Sequence, residues 1–381
     1  MTGDDYKRHL PPHGSGLLTA EAADGYVFSS GGTTGMPKAV YRTVDEQRHN
    51  AVRLGKGLAL SVFGPGDVVA NLLFAGNLWA SFVSYNQAME YTGCRVLPIS
   101  GNLPMEQIAG YLSLFGANAA ITIPSVLLSL AAHVEQHRLP IRLRKVSTGG
   151  EHLFAGARDD LRRTLGVEQF ASTGYTTNDT GAIGYQCPHC TGGVHHVHED
   201  LHLLEILDPE TNEPLGPGRI GKVVVTNLYR KLMPTIRYEV GDLGRWIEGG
   251  CPCGRKTRLM ELLGRSDDVL IIGGGNIHPE VVAAAVHATP GVSPHFQIVA
   301  RLEDHRDQLL VRVERAESAD PAADGARVEQ LMGRLLAESK ELKAMIQGGL
   351  AAPAKVEILH AGGIERNAKT GKIRLTVDER H

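Results

Sequence analysis

Apolar residues fall in short, separated runs along this chain, and the spacing inside the runs changes with position. Tyr26-Val27-Phe28 predicts a strand running into a glycine-rich loop, and Ala39-Val40-Tyr41 predicts the return strand. From Asp45 to Leu60, Ala51, Leu54 and Leu58 recur at helical spacing. Asp67 to Phe74 predicts a buried strand, Leu78 to Thr92 a helix closed by Gly93, and Arg95 to Ile99 the next strand. A helix over Met105 to Phe115, a strand over Ala119 to Ile123, a helix over Val126 to Gln136 and a strand over Lys145 to Ser147 continue the alternation. Strands and helices alternating at this spacing predict parallel α/β layers.

After about Gly192 the pattern changes. Leu201 to Asp208, Gly221 to Asn227 and Gly244 to Ile247 predict short strands between Gly/Pro turns. From Asp267 a small α+β unit follows. Pro279 opens a helix that ends before Pro290-Gly291, and Phe296 to Arg301 with Gln308 to Glu314 predicts a strand pair. An amphipathic helix over Arg327 to Ile346 and a last strand over Lys355 to Leu359 complete it. The expected fold is α/β. A large domain over 1–266 carries layered α/β sheets plus a β-rich subdomain, and a small mobile α+β domain covers 267–381.

Composition narrows the function classes. A chain of 381 residues, 42% hydrophobic and 21% charged, can bury a sizeable core. A net charge of −3 with no Lys/Arg-rich arm gives no reason to expect nucleic acid. No run of about 18 apolar residues predicts a membrane span, and the polar stretch 1–13 lacks the apolar core of a secretory signal. A cytoplasmic protein is expected. Four of the five cysteines form two close pairs, which points to a metal rather than a disulfide framework.

Two clusters carry candidate chemistry. In Ser29-Ser30-Gly31-Gly32-Thr33-Thr34-Gly35-Met36-Pro37-Lys38, glycines let backbone N–H groups approach an anion, hydroxyls add donors, and Lys38 adds a charge. A plain hairpin turn would share the strand–loop–strand setting; the density of donors beside a lysine favours a phosphate grip. It is not a Walker A loop, because no Gly-Lys-Ser/Thr opens a helix. The second cluster is Cys187-x-x-Cys190, then His195, His196 and His198, then Cys251-x-Cys253. Cys and His suit tetrahedral Zn²⁺; Cys187, His196, Cys251 and Cys253 are the expected ligands, with Cys190 as the alternative, pinning a β-rich segment over about 187–260. Cys94 reads as core.

The loop resembles the phosphate loop of the acyl-CoA synthetase, adenylation-domain and luciferase superfamily. Five further stretches resemble that superfamily's motifs in order. They are Ser147-Thr148-Gly149-Gly150-Glu151, Ser172-Thr173-Gly174-Tyr175-Thr176-Thr177, Tyr238-Glu239-Val240-Gly241-Asp242, Gly264-Arg265-Ser266-Asp267-Asp268 and Lys369-Thr370-Gly371-Lys372. Cys251-Pro252-Cys253-Gly254-Arg255 and Gly274-Gly275-Asn276-Ile277-His278-Pro279 are similar to the phenylacetate–CoA ligase branch. The start close to the phosphate loop resembles short adenylating enzymes of the griseoluteic-acid (phenazine) type, which implies a place in antibiotic biosynthesis.

The resemblance implies ATP-dependent adenylation of a small aromatic acid. ATP and Mg²⁺ are the implied cofactors, with CoA or another acyl acceptor as partner and a homodimer as a candidate assembly. It gives Lys372 the catalytic role, because a mobile point charge can bridge the carboxylate and the α-phosphate. Asp242 would accept the ribose hydroxyls, Arg265 would contact phosphate or ribose, and Asp267 would be the hinge. Gly149, Gly150, Glu151, Thr173, Gly174, Tyr175, Thr176 and Thr177 would surround the nucleotide. Trp79, Phe82, Tyr85 and Asn86, at helical spacing, are pocket candidates that core packing would explain as well. One departure stands out. The family's Mg²⁺-holding Glu falls at Thr177, with Asp179 two residues beyond. Three readings follow: transfer to CoA, transfer to an amine, hydroxyl or carrier protein, and nucleotide binding without chemistry.

Overall fold

β1 (Tyr26–Ser30) and β2 (Lys38–Arg42) form an antiparallel hairpin with Ser30 opposite Lys38, so residues 31–37 connect them. In this computed structural model, residues 8–9, 14, 16–21, 24–30, 38–151, 153, 155–265, 270–273, 275–277, 279–304, 306–366 and 373–380 are described. The chain divides into two units, residues 1–152 with 162–264, and residues 153–161 with 265–381.

In the first unit, α1 (Val44–Ser61) starts with a capping box: Thr43 Oγ1 accepts from Glu46 N, and the Glu46 carboxylate accepts from Thr43 N. Then come β3 (Val68–Asn71), α2 (Ala80–Met89), β4 (Arg95–Leu97), α3 (Met105–Leu114), β5 (Ala119–Thr122), α4 (Pro124–His137), β6 (Lys145–Thr148), α5 (Ala155–Leu165), whose residues up to Leu161 fall in the second unit, and β7 (Gln169–Ser172). The five strands make a parallel sheet ordered β4-β3-β5-β6-β7. β5 is buried at every position, as a central parallel strand must be. Thr122, Thr148 and Ser172 lie in register at the carboxyl ends of β5, β6 and β7, the edge where open α/β sheets bind ligands.

The same unit continues with β8 (Tyr175–Thr177), β9 (Gly181–Tyr185), β10 (Val194–Val197), β11 (His202–Leu207), β12 (Gly221–Asn227), β13 (Tyr238–Trp246) and β14 (Leu259–Arg265). They form a seven-stranded sheet ordered β11-β12-β13-β14-β10-β9-β8. Its core includes Ile183, Val197, Leu204, Val223, Val225 and Met260.

The second unit holds the hairpin β15 (Leu270–Ile272) and β16 (Gly275–Ile277), then α6 (Pro279–His287), β17 (Val292–Glu303), β18 (Arg306–Arg315), α7 (Asp324–Glu338), α8 (Lys340–Gln347), β19 (Lys355–Leu359) and β20 (Thr376–Asp378). Its sheet is ordered β19-β18-β17-β20, with Ile298, Val311, Leu331 and Leu335 in the core.

The layered α/β expectation holds, with local corrections. The strand expected over 67–74 is β3 alone, and the helix expected over 78–92 is the shorter α2. The strand expected at 244–247 is the end of the longer β13. The β-rich part begins at Tyr175 rather than after Gly192, because β8 and β9 carry Thr and Gly instead of an apolar alternation. The helix expected over 327–346 breaks at Ser339, which leaves the helical region and caps α8 by accepting from Leu342 N. β20, not β19, is the last strand. Among the described residues no helix is long and apolar enough to cross a membrane.

Candidate functional site

The β1–β2 hairpin presents the loop at 31–37. Phe28 and Val40 are buried, which seats the hairpin. Ser29 N donates to Leu78 O at 2.8 Å. That carbonyl belongs to a left-handed turn with Gly76, Asn77 and Leu78 at φ 85°, 55° and 60°. Two successive non-glycine residues in this region store strain, a feature that gathers at functional sites. Gly31, Gly32, Thr33, Thr34 and Gly35 lie outside the described residues, as do Asp267, Lys372 and the side chains of Ser30 and Lys38.

Two buried guanidinium groups fasten the 177–180 turn. Arg42, 2% exposed, leaves the hairpin and donates to Gln47 Oε1 (2.9 Å) and to Asn178 O (2.7 Å). Arg230 donates to Asp179 O and to Tyr41 O (2.7 Å). Successive carbonyls of one turn are thus tied to the strand that leaves the loop. Glu46 extends the frame by accepting from Lys231 N (2.6 Å) and Leu232 N (2.9 Å). Charge-assisted bonds of this kind hold geometry better than neutral ones. Thr177 Oγ1 is engaged locally, 2.8 Å from Thr180 Oγ1. The Asp179 carboxylate is buried and accepts from Tyr238 OH at 3.1 Å.

The expected nucleotide residues converge at the carboxyl ends of β6 and β7. Gly149 packs so closely on Thr173 that a Cβ there would collide with Thr173 Oγ1. Thr173 N donates to Thr148 O at 3.0 Å. Gly150 and Gly174 take φ 76° and 104°, conformations that need glycine. Tyr175 OH donates to Asp242 Oδ2 at 2.6 Å, both groups buried, so two residues 67 apart in sequence share one short bond. Thr176 Oγ1 donates to Gly181 O. Glu151 instead caps α4, accepting from Ser125 N (2.8 Å) and Ser125 Oγ (3.1 Å). Arg265 ends β14, exposed.

Of the pocket candidates, Tyr85 is buried and donates to Thr173 O at 3.0 Å. Burial pushes its pKa up to about 12 against the lowering effect of that bond, so the phenol stays protonated. Asn71 Nδ2 donates to Phe82 O and Asn86 Oδ1, and the Trp79 ring tilts against Phe74 at 5.7 Å.

The metal candidates also converge. Ligand atoms of Cys187, Cys190, His196 and Cys251 all lie within 4.8 Å of one another. Sulfur separations are 3.6 Å for Cys187–Cys190 and 3.5 Å for Cys187–Cys251, and Cys253 Sγ lies 3.4 Å from His196 Nε2. A tetrahedral site with Zn–S of about 2.3 Å has S–S edges of about 3.8 Å, which this donor set fits. His196 Nδ1 faces Thr257 Oγ1 at 3.0 Å, leaving Nε2 for the cluster. Cys190, kept in the sequence as the alternative, thus joins the tight group, and Cys253 stands beside it.

β10 has a second face. His195 Nδ1 donates to Gly193 O (2.8 Å), a pure acceptor, which leaves Nε2 to accept from Ser172 Oγ (3.3 Å). Ser172 Oγ in turn accepts from Gly174 N (3.0 Å). Burial lowers the His195 pKa to about 4, so the ring stays neutral. Sequence reasoning missed Arg42, Glu46, Arg230 and this role of His195. Only Glu46 had a legible signal, the Thr43-x-x-Glu46 capping pattern.

Comparison with known proteins identifies the setting. The model of the AMP-binding enzyme family matches residues 22–229, more than half of the chain, and that of the AMP-binding enzyme C-terminal domain matches residues 274–380. Phenylacetate-coenzyme A ligase of Thermus thermophilus is 30% identical over 364 residues, covering 93% of this chain and 80% of that protein. A probable non-canonical nonribosomal peptide synthetase of Salinispora arenicola is 26% identical over 378 residues, covering 92% of this chain and 4% of that protein. The crystal structure of 2-hydroxyisobutyryl-CoA ligase in the postadenylation state with 2-HIB-AMP superposes with a TM-score of 0.82 at 23% identity, covering 100% of this chain and 79% of that one, a likeness of fold. By its ordered motifs, its fold and both family models, the chain belongs to the AMP-binding enzyme family of adenylate-forming ligases.

Proposed function

We propose that this protein activates an aromatic carboxylic acid with ATP and passes the acyl group to CoA. A carboxylate oxygen attacks the α-phosphorus and pyrophosphate leaves; the thiol of CoA then attacks the acyl carbon and AMP leaves. The observation that carries the reading is the convergence of Gly149, Thr173, Tyr175 and Asp242 at the carboxyl ends of parallel strands. Asp242 would accept the ribose hydroxyls, the loop at 29–38 would hold the phosphates, and Lys372 would neutralise charge where the two anions meet.

The aromatic substrate rests on the phenylacetate–CoA ligases among the relatives. Mg²⁺ would be held mainly by the ATP phosphates and water, because Thr177 Oγ1 is engaged with Thr180. Zn²⁺ fits the Cys187, Cys190, His196 and Cys251 set as a structural ion, with Cys253 as the exchangeable donor.

Pyrophosphate exchange over a panel of aryl acids, followed by CoA thioester formation with the best acid, tests the proposal. Exchange with no aryl acid would overturn the substrate class. Likeness to a nonribosomal peptide synthetase favours one second reading, transfer to a carrier protein. Adenylate that accumulates in the presence of CoA and discharges only onto a carrier would select it.

A further inference from the structure

The second unit contains an ion pair, with a buried carboxylate and a half-buried guanidinium, that the adenylation reading does not use. Glu314 lies near the end of β18 and is 2% exposed. Arg366 grips it with both arms, Nη1 to Oε1 at 2.8 Å and Nη2 to Oε2 at 3.1 Å. Ile364 N also donates to Glu314 Oε1 at 3.0 Å, and Arg366 Nη1 donates to Ile364 O at 3.1 Å. Burial raises the Glu314 pKa, but the bonds from Arg366, Ile364 and Gly362 outweigh it and hold the carboxyl below its usual range. A two-pronged guanidinium–carboxylate bond fixes orientation as well as distance.

Arg366 is the residue at which the chain leaves toward Lys372. It bridges antiparallel to Ile373, so the two residues that flank positions 367–372 are paired with each other. The returning arm is also bonded. Gln297 Nε2 donates to Arg374 O at 2.9 Å, and Ile298 N donates to Leu375 O at 2.7 Å. One arm is thus bonded to β18 and the other to β17, neighbouring central strands of one sheet.

We propose that Glu314 and Arg366 are positioning residues for Lys372, clamping the base of its segment so that the ammonium is presented for the adenylation step. The proposal rests on the reading of Lys372 as the adenylating lysine. Its charge matters where carboxylate and α-phosphate meet and has no such role when the CoA thiol attacks the acyl carbon. The clamp should therefore matter for one half-reaction only. A loss of fold in the second unit would not make that distinction.

The experiment compares pyrophosphate exchange with CoA thioester formation from supplied acyl-AMP, in Arg366→Lys, Glu314→Gln and Lys372→Ala. Arg366→Lys keeps the charge and loses the fork, and thioester formation reports folding in every variant. Arg366→Lys and Glu314→Gln should lower exchange about 10- to 100-fold, the scale of a misplacement near 1 Å, with thioester formation within about twofold of the parent protein. Equal losses in both half-reactions would overturn the proposal. So would exchange that is unchanged in both clamp variants while Lys372→Ala abolishes it. Unchanged exchange in Lys372→Ala would overturn the reading of the lysine, and the clamp's role with it.

Discussion

Replacing Tyr175 with Phe removes one oxygen atom from a buried bond and leaves the ring in place. The lost O–H donates to Asp242 Oδ2 at 2.6 Å, with Tyr175 5% and Asp242 8% exposed. A hydrogen bond to a charged group contributes about 1.5–3 kcal/mol net. For a folding unit of about 250 residues, the size of the first unit, each kcal/mol lowers the melting temperature by roughly 2–4 °C, so Tyr175→Phe should melt about 3–12 °C lower. The functional effect follows from direction. Tyr175 holds one carboxylate oxygen and so sets where the other points, toward the ribose hydroxyls in the proposed function. A misdirected acceptor should raise the KM for ATP about tenfold, equivalent to about 1.4 kcal/mol. The decisive comparison is ATP against 3′-deoxy-ATP in pyrophosphate exchange. The parent protein should discriminate against the deoxy analogue, and Tyr175→Phe should lose most of that discrimination. If the variant is destabilised as expected and still discriminates like the parent, Asp242 is a scaffold carboxylate and does not hold the ribose.

Gly149→Ala should collapse ATP binding, because its Cβ would collide with Thr173 Oγ1, and adding Thr173→Ala should restore much of it; calorimetric titration with ATP checks both. His202 is buried, donates Nε2–H to Ala182 O, and has its pKa lowered by burial to about 4. The unfolded chain therefore binds a proton below about pH 6.5 that the folded one refuses until about 4. Stability should fall across that window by up to about 3 kcal/mol per such group, and urea titrations of His202→Gln against the parent at pH 7 and 4.5 should show a smaller pH effect in the variant. Chelation should strip one Zn²⁺ per chain and lower the melting temperature, with Cys187→Ser and Cys251→Ser isolated metal-free and Cys253→Ser retaining metal; elemental analysis reads all three.

The parallel sheet was legible because β3 and β5 are short, mainly apolar runs between helical periods. β13 was half missed for a physical reason. Its buried positions are Tyr238, Val240, Asp242, Gly244 and Trp246, and a carboxylate and a glycine on the inner face break the apolar alternation that marks a strand. The residue that hides the strand is the one proposed to accept the ribose hydroxyls. Arg42 and Arg230 were invisible for a related reason. An arginine reads as solvated until the carbonyls that hold it are placed, and theirs belong to a turn more than 130 positions from Arg42 and about 50 from Arg230. Cys187-x-x-Cys190 and Cys251-x-Cys253 marked the thiols as one candidate donor set, and they do converge. Which donors stand closest depends on how β10 and the 251–253 loop meet, and spacing alone does not carry that.

β10 has an implication for the kinds of change this fold accepts. Its neighbouring histidines face opposite ways, His195 to Ser172 and His196 to the cysteines, because side chains alternate across a strand. Inserting or deleting one residue between Gly193 and His196 would exchange the two faces. The His195–Ser172 contact and the cysteine cluster would then be lost together. Substitution can alter one site at a time here, while a change in length cannot, so variation in this stretch should be confined to residue identity.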